Sequence, residues 1–520
     1  MLNRLVELSL RYKLLVVIFF IVVAALGVRA ALTVPIDAFP DVTPVQVNIY
    51  TESPGLAAED VEQLLTFPVE STLAGLPKVQ DIRSVSLFGL SFVSVYFEDD
   101  MDVYFARQLV NERLQELGDR LPEGYGKPEM GPNASGLGQV YWYTVERAPG
   151  VTREQVSDMD LRTWQDWTVR LILRTARGVD DVTSWGGGER EFQIRIDPQR
   201  LHARGLGFRD VIDAIPANNG QVGGNVMDIG QEQHLVRGLG LLRTTDDIGA
   251  IVLKSEDGVP VYLRDVARVA EGPAPRFGAV TRDGEEVVLG MALARIGENA
   301  KNVVRAVEAR LDTVRAALPD GIVLKPVYSR TDLVDKAVGT AARALIEGSI
   351  LVAVVLLLFL GELRSALVVI VTLPLAMLVA FIGMQRFGLS ANLMSLAGLA
   401  IGIGMMVDGA VVMVENAFRI LAERRARGER VHRTAAVLAA AKEVANPIAF
   451  AILIIIVVFL PLFSLQGLEG KMFKPMAFNI AFAMAGSLIL SLTLIPVLAS
   501  LLLQPKEEKD TRLVAMLKRR

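Results

Sequence analysis

The stretch LMSLAGLAIGIGMMVDGAVVMVENAFRI, residues 393–420, decides the fold: it is apolar enough for lipid yet carries Asp408 and Glu415 well inside it. An aspartate at mid-helix in a bilayer costs roughly 2.5–3.5 kcal/mol on insertion scales, so an ionisable group there is a candidate ion or proton relay. The two carboxylates stand seven residues apart. That is about 700° of helical rotation, which puts them within roughly 20° of one face, two turns apart. Gly402, Gly404 and Gly409 beside them are small residues of the kind that let membrane helices pack closely. Together they read as a buried polar seam. The bland alternatives are an interfacial anchor for Glu415 and a purely structural role for Asp408.

Working outward, six windows approach the roughly 20 apolar residues that a ~30 Å hydrocarbon core requires: about 13–33, 338–360, 365–385, 393–417, 444–465 and 474–503. The chain has 520 residues, 52% hydrophobic and 22% charged, which implies a membrane part joined to a large watery part. The first window follows Arg4, Arg11 and Lys13 and resembles a secretory signal. Its apolar run is too long for one and no clean cleavage site follows, so it reads as a retained anchor. The basic N-terminus, the arginine-rich 418–443 loop and the closing KRR fall on one side of six crossings. By the positive-inside rule that side is cytosolic, and residues 34 to about 330 lie outside.

Composition also excludes. A net charge of −4 gives no sign of nucleic-acid binding. There is no cysteine, hence no disulfide or thiolate metal site, and His202, His234 and His432 form no motif. No G-x-x-x-x-G-K-[ST] loop is present, so ATP is not the expected energy source and no enzyme activity is indicated. GGGERE at 186–191 reads as a strand turn.

The outer region alternates strand and helix. A strand at 46–51, a helix at 57–75, strands at 79–87 and 91–98 turning at Gly89, and a helix at 102–118 give a split βαβ, ferredoxin-like pattern. It restarts with strand 138–146, helix 153–176, strands 179–185 and 190–196 and helix 208–216. A glycine-rich excursion, 219–275, interrupts this second unit and reads as a small β-rich insertion with a protruding hairpin, or else as a surface loop. Strand 285–294, helix 299–317 and strand 321–329 complete the unit.

With these elements placed, the chain resembles the N-terminal half of a resistance-nodulation-division exporter of the heavy-metal efflux branch. The residues that carry the resemblance are VDGAVVMVEN (407–416), LPLAML (373–378) and FLPLFSLQGLEGKMFKPMAF (459–478). Multidrug members carry two adjacent aspartates in the fourth membrane helix, whereas Asp408 is flanked by Val407 and Gly409. The resemblance implies a cytosolic N-terminus and first membrane helix over 1–33, and a first porter subdomain over 34–135. A second porter subdomain (136–218 and 276–330) would be split by a docking subdomain (219–275). Membrane helices two to six would occupy 331–503, and a cytosolic basic tail 504–520.

The resemblance further implies a bacterial inner-membrane transporter that exports heavy-metal cations in exchange for protons. Both termini would be cytosolic and the large domain periplasmic. Asp408 is then the proton carrier and Glu415 a supporting acid nearer the cytosol. No cofactor is held permanently; the transported metal ion and the proton are cargo. Met406 and Met413 share one face some 160–200° from the carboxylates, and thioethers suit Cu(I) and Ag(I). Met394, Met406, Met413 and Met484 match positions of the methionine pairs of copper/silver exporters. Ala499 replaces a further one, and methionine is also a common gap-filler. Gly402 stands where divalent-metal exporters often carry another aspartate, a departure that counts against divalent cargo, so the resemblance slightly favours Cu/Ag and leaves Zn/Co/Cd/Ni as the alternative.

Implied partners are a second half-repeat or second copy, a trimer, a periplasmic adaptor protein, an outer-membrane channel and the lipid bilayer. Since the relay and substrate site of such folds form between repeats, these residues alone are not expected to pump. The competing readings are an exporter of drugs or lipids and a non-transporting scaffold related to protein-translocation factors.

Overall fold

The structure is a computed structural model that describes residues 2–118, 121, 125–256, 258–276, 278–360, 362–427 and 432–504. Two compact units are present, one built from residues up to Val140, Leu293–Ala306 and Ser329 onward, the other from Tyr141–Ala292 and Val307–Tyr328. The basic tail expected over 504–520 lies outside the described residues apart from Gln504, as do residues 428–431 of the arginine-rich loop.

In the first unit, α1 (Leu2–Arg11) buries Val6, Ser9 and Leu10, an i, i+3, i+4 stripe. The helices α2 (Lys13–Thr33), α3 (Arg330–Leu360), α4 (Leu363–Ile370), α5 (Thr372–Arg386), α6 (Leu393–Ala426), α7 (Arg433–Phe459), α8 (Gly467–Leu492) and α9 (Leu494–Leu502) follow. Six stretches among the described residues are long and apolar enough to cross a membrane, in agreement with the six windows. Two of these windows are interrupted. Pro374 has no N–H for the carbonyl of Ile370, and the chain breaks between α4 and α5 at Val371. Pro496 acts likewise toward Leu492, where α8 ends, and Thr493 separates it from α9.

The 418–443 segment is helical rather than a loop on both sides of the residues left undescribed: α6 runs to Ala426 and α7 begins at Arg433. A helix of 34 residues is about 51 Å long, well beyond a ~30 Å core. Its Ala-, Glu- and Arg-rich end, made of good helix formers, simply continues past the lipid.

The same unit holds an antiparallel sheet of order β2-β3-β1-β4 from β1 (Gln46–Glu52), β2 (Val79–Leu87), β3 (Leu90–Phe97) and β4 (Glu129–Met130). This is the ferredoxin-like order. Gly89, at φ +71°, makes the two-residue β2–β3 turn that the sequence placed there. Val47, Ile49, Val93, Val95 and Phe97 pack on Val69 and Leu73 and on Ala106, Val110 and Leu114 of helix Val103–Gly118.

In the second unit, β5 (Gln139–Arg147), β6 (Val179–Trp185), β13 (Val280–Arg282), β14 (Glu285–Ala294) and β15 (Ile322–Ser329) form one sheet. Its path is β13-β14-β5-β15, with β6 also on β14. The covering helix starts at Asp158 rather than 153, behind a capping box: Asp160 N donates to Ser157 Oγ at 3.1 Å and Ser157 N to Asp160 Oδ2 at 2.9 Å. A π turn interrupts this helix at Gln165–Val169, and another interrupts its counterpart after β1, the helical stretch Ala58–Leu73, at Glu62–Thr66.

One expected boundary is wrong. Strand β7 (Arg190–Ile196), expected in the second ferredoxin-like unit, pairs instead with β12 (Ala267–Pro273). Leu201 and Val211 share a core with Ile248, Ile251, Val261 and Leu263, around the hairpin of β10 (Val252–Glu256) and β11 (Val259–Tyr262). The inserted body therefore begins near residue 190, not 219, and β14 takes the sheet position expected for β7. From it extends the hairpin of β8 (Gly220–Ile229) and β9 (Glu232–Gly240), in which every residue is exposed.

Candidate proton-relay helix

The start of α6 is fixed by Asn392 and Ser395: Ser395 N donates to Asn392 Oδ1 at 2.9 Å and Asn392 N to Ser395 Oγ at 2.8 Å. From α8, Asn479 Nδ2 donates to the Ser395 carbonyl at 2.9 Å and Ser487 Oγ donates to the Met406 carbonyl. These bonds set the rotation of α6 about its axis, and that rotation decides which residues face outward.

The exposed positions of α6 include Ala397, Ile401, Gly404, Asp408, Val412, Glu415 and Arg419. Steps of three and four trace a single stripe along a helix. Asp408 and Glu415 thus share a face, as their spacing requires, but that face is open within this chain, not the buried seam expected from the apolar sequence. Neither makes a hydrogen bond or ion pair among the described residues. Glu415 stands apart from the polar network at its end of the helix. There Asn416 Nδ2 donates to the Ala440 carbonyl at 3.0 Å, and Arg419 Nη1 donates to Glu423 Oε1 at 2.8 Å.

The methionines separate from the carboxylates. Met406, Met413 and Met484 are fully buried in the helix-bundle core, while Met394 is half-buried near the start of α6. The first three fill the bundle interior, on the side of α6 turned away from Asp408. No cluster of three or more His, Asp or Glu residues able to hold a metal occurs among the described residues.

The glycines divide too. A Cβ on Gly409 would lie 3.0 Å from Ile448 Cγ2 and 3.1 Å from Ser491 Oγ, so this glycine does bring helices together. A Cβ on Gly402 would meet only the Met406 methyl of its own helix, at 3.2 Å. Gly404 has nothing within 4 Å in this chain, so it brings no two of these helices together; it is part of the open stripe. Gly398, unremarked in the sequence, makes the tightest approach of the glycines on α6, since a Cβ there would stand 2.7 Å from the Met476 carbonyl oxygen of α8.

The true buried polar seam lies between α6 and α8, where Asn479, Ser487 and Ser491 are at most 1% exposed. Their spacings of eight and four residues put them on one helical face, a signal present in the sequence.

The model of the AcrB/AcrD/AcrF family matches residues 5–520. The chain belongs to this family. Among its relatives, the cobalt-zinc-cadmium resistance protein CzcA of Cupriavidus metallidurans is 43% identical over 531 residues, covering 100% of this chain and 49% of the relative. The cation efflux system protein CusA of Escherichia coli strain K12 is 40% identical over 506 residues, covering 96% of this chain and 48% of the relative. A crystal structure of a heavy metal efflux pump superposes with TM-score 0.83 at 36% identity, covering 96% of this chain and 48% of that one. The chain spans about half the length of the curated relatives it matches. The resemblance to heavy-metal resistance-nodulation-division pumps read from 407–416 is thus borne out, and the AcrB/AcrD/AcrF membership places these six apolar helices in a membrane transporter fold.

Proposed function

We propose that this AcrB/AcrD/AcrF-family chain is half of a proton-driven exporter of heavy-metal cations in a bacterial inner membrane. The observation that carries the reading is the open stripe of α6, which holds two carboxylates at membrane depth with no partner among the described residues. A carboxylate left wholly to lipid would be costly. The stripe is therefore the surface on which a second half-repeat or a second copy completes the relay.

Asp408 takes up a proton from the outer side. Glu415 lies about 10 Å further along the axis, toward the arginine-rich end of α6, and supports release inward. Arg4, Arg11 and Lys13 at the N-terminus and Arg424, Arg425 and Arg433 near the α6–α7 connection put both of those regions on the cytosolic side. The 34–329 region, inserted between α2 and α3, is then periplasmic. CzcA is named for cobalt, zinc and cadmium. Three of the four candidate thioethers, Met406, Met413 and Met484, are core, so these positions do not single out copper or silver. We assign the cargo as a heavy-metal cation without narrowing the class further.

The exposed β8–β9 hairpin supports assembly into a trimer, and an adaptor and outer channel complete the export route. The deciding test is Asp408→Asn in the complete transporter. Cells should lose resistance across Cu, Ag, Zn, Co, Cd and Ni, while the variant protein remains in the membrane at normal level. Undiminished energised export would overturn the reading.

A further inference from the structure

Among the basic residues of the first unit, several have carboxylate partners: Lys442 pairs with Glu7 at 3.6 Å, and Arg419 with Glu423 at 2.8 Å. Arg11 and Lys13 have none among the described residues. The Arg11 guanidinium lies 5.6 Å above the Tyr12 ring, and Lys13 Nζ donates to the uncharged hydroxyl of Thr434 at 2.8 Å. The two cations flank Tyr12, whose φ of −111° and ψ of 50° turn the chain from α1 into α2.

An open surface depression of about 570 Å³ lies in this elbow, lined by residues 10–15 and Ile18. Its two halves differ chemically. Arg11, Tyr12 and Lys13 form the rim at the very start of the first membrane span. Leu14, Leu15 and Ile18, exposed by 75%, 66% and 51%, form an apolar wall in the first turns of the span. A cationic rim over an aliphatic wall, set at the water–lipid boundary, complements an amphiphile with a negative head. Basic pockets at membrane-helix ends recognise anionic lipid headgroups in the same manner, and Tyr12 sits at the level where amphipathic aromatics favour the interface. A free anion would use the rim and leave the wall without purpose.

We propose that the α1–α2 elbow binds one anionic phospholipid, its phosphate held by Arg11 and Lys13 and its acyl chains laid along Leu14, Leu15 and Ile18. In the orientation proposed above, the lipid belongs to the cytoplasmic leaflet. The site is independent of Asp408 and of the metal carried.

The test is native mass spectrometry of the whole chain in detergent, offered phosphatidylglycerol or phosphatidylcholine with identical acyl chains. Phosphatidylglycerol should be retained preferentially. The preference should fall roughly fivefold for each cation removed in Arg11→Ala and in Lys13→Ala. Arg4→Ala, on α1 but off the depression, should leave it unchanged, and the charge-retaining pair Arg11→Lys with Lys13→Arg should preserve it. Equal retention of the two lipids by the unaltered chain would overturn the proposal whether or not the alanine variants fold. So would full retention in the alanine variants, or displacement of phosphatidylglycerol by inorganic phosphate, which would make this a bare anion site.

Discussion

Met406 and Asp408 are two residues apart on α6 and face opposite ways: the thioether is fully buried in the bundle and the carboxylate stands on the open stripe. In the complete transporter, Asp408→Asn removes the proton-exchanging group and should abolish metal resistance. Met406→Leu conserves volume in a packed core and should cost less than about 1.5 kcal/mol, leaving resistance largely intact. Minimal inhibitory concentrations for each metal read both. If Met406→Leu abolished resistance to copper and silver alone, the thioether would be a cargo ligand after all.

Gly398 and Gly404 make a second contrast, six residues apart on the same helix. A methyl at 398 collides with the Met476 backbone oxygen, which cannot swing aside as a side chain can. Gly398→Ala should therefore destabilise by about 1–3 kcal/mol despite alanine's better helix propensity. Gly404→Ala meets open space and should stabilise the isolated chain by up to about 1 kcal/mol. Thermal unfolding in detergent gives both signs. In the assembled transporter Gly404→Ala should instead impair function, because the stripe is then covered.

Much of this architecture is legible in the amino-acid sequence. The strands β2 and β6 stand where alternation placed them, because a two-residue period and a turn glycine are local signals. The partner of β7 was not readable: β12 lies some seventy residues downstream, and strand pairing across an insertion leaves no local trace. The π turns at 62–66 and 165–169 insert one residue into helices whose apolar period hardly changes. For the relay helix, the shared face of Asp408 and Glu415 followed from spacing alone. Whether that face was covered depended on how Asn479 and Ser487 of α8 orient α6, a tertiary fact. Pro374 and Pro496 did announce the helix breaks, but hydropathy windows are blind to a missing N–H.

The β8–β9 hairpin carries the assembly prediction. Val222, Leu235 and Leu239 are 70%, 72% and 70% exposed, and a lone two-stranded hairpin is marginal in water. Such a ribbon is stable when a neighbour covers it. Replacing all three by threonine keeps β propensity while removing apolar surface, so circular dichroism should hardly change. Chemical cross-linking of the membrane-embedded protein should show loss of the trimer proposed above. A trimer of unchanged yield would dissociate the hairpin from assembly.

Glu146 on β5 sets the acid limit of the second unit. Its side chain is 10% exposed and lies 2.7 Å from Lys325 Nζ of β15 and 3.0 Å from Arg282 Nη1 of β13, with Thr144 Oγ1 donating to it at 2.5 Å. Burial alone would raise its pKa. The hydrogen bonds from Lys325 and Thr144 and the two positive charges outweigh that and hold the carboxyl below its usual range. A depressed carboxylate contributes stability that is complete above its unfolded value, about 4.3 for glutamate, and is lost as pH falls through the lower folded value. Glu146→Gln should therefore cost about 2 kcal/mol at pH 7, less than a fully buried pair because Lys325 and Arg282 are 46% and 38% exposed. The chain's four tryptophans, Trp142, Trp164, Trp167 and Trp185, all belong to this unit, so their fluorescence during denaturant unfolding reports on it selectively. The gap between wild type and Glu146→Gln should close as the solution is acidified below the glutamate range, since both side chains are then neutral. A gap of constant size from pH 7 to pH 3 would show that the ion pairs across β5, β13 and β15 are not what stabilises the sheet.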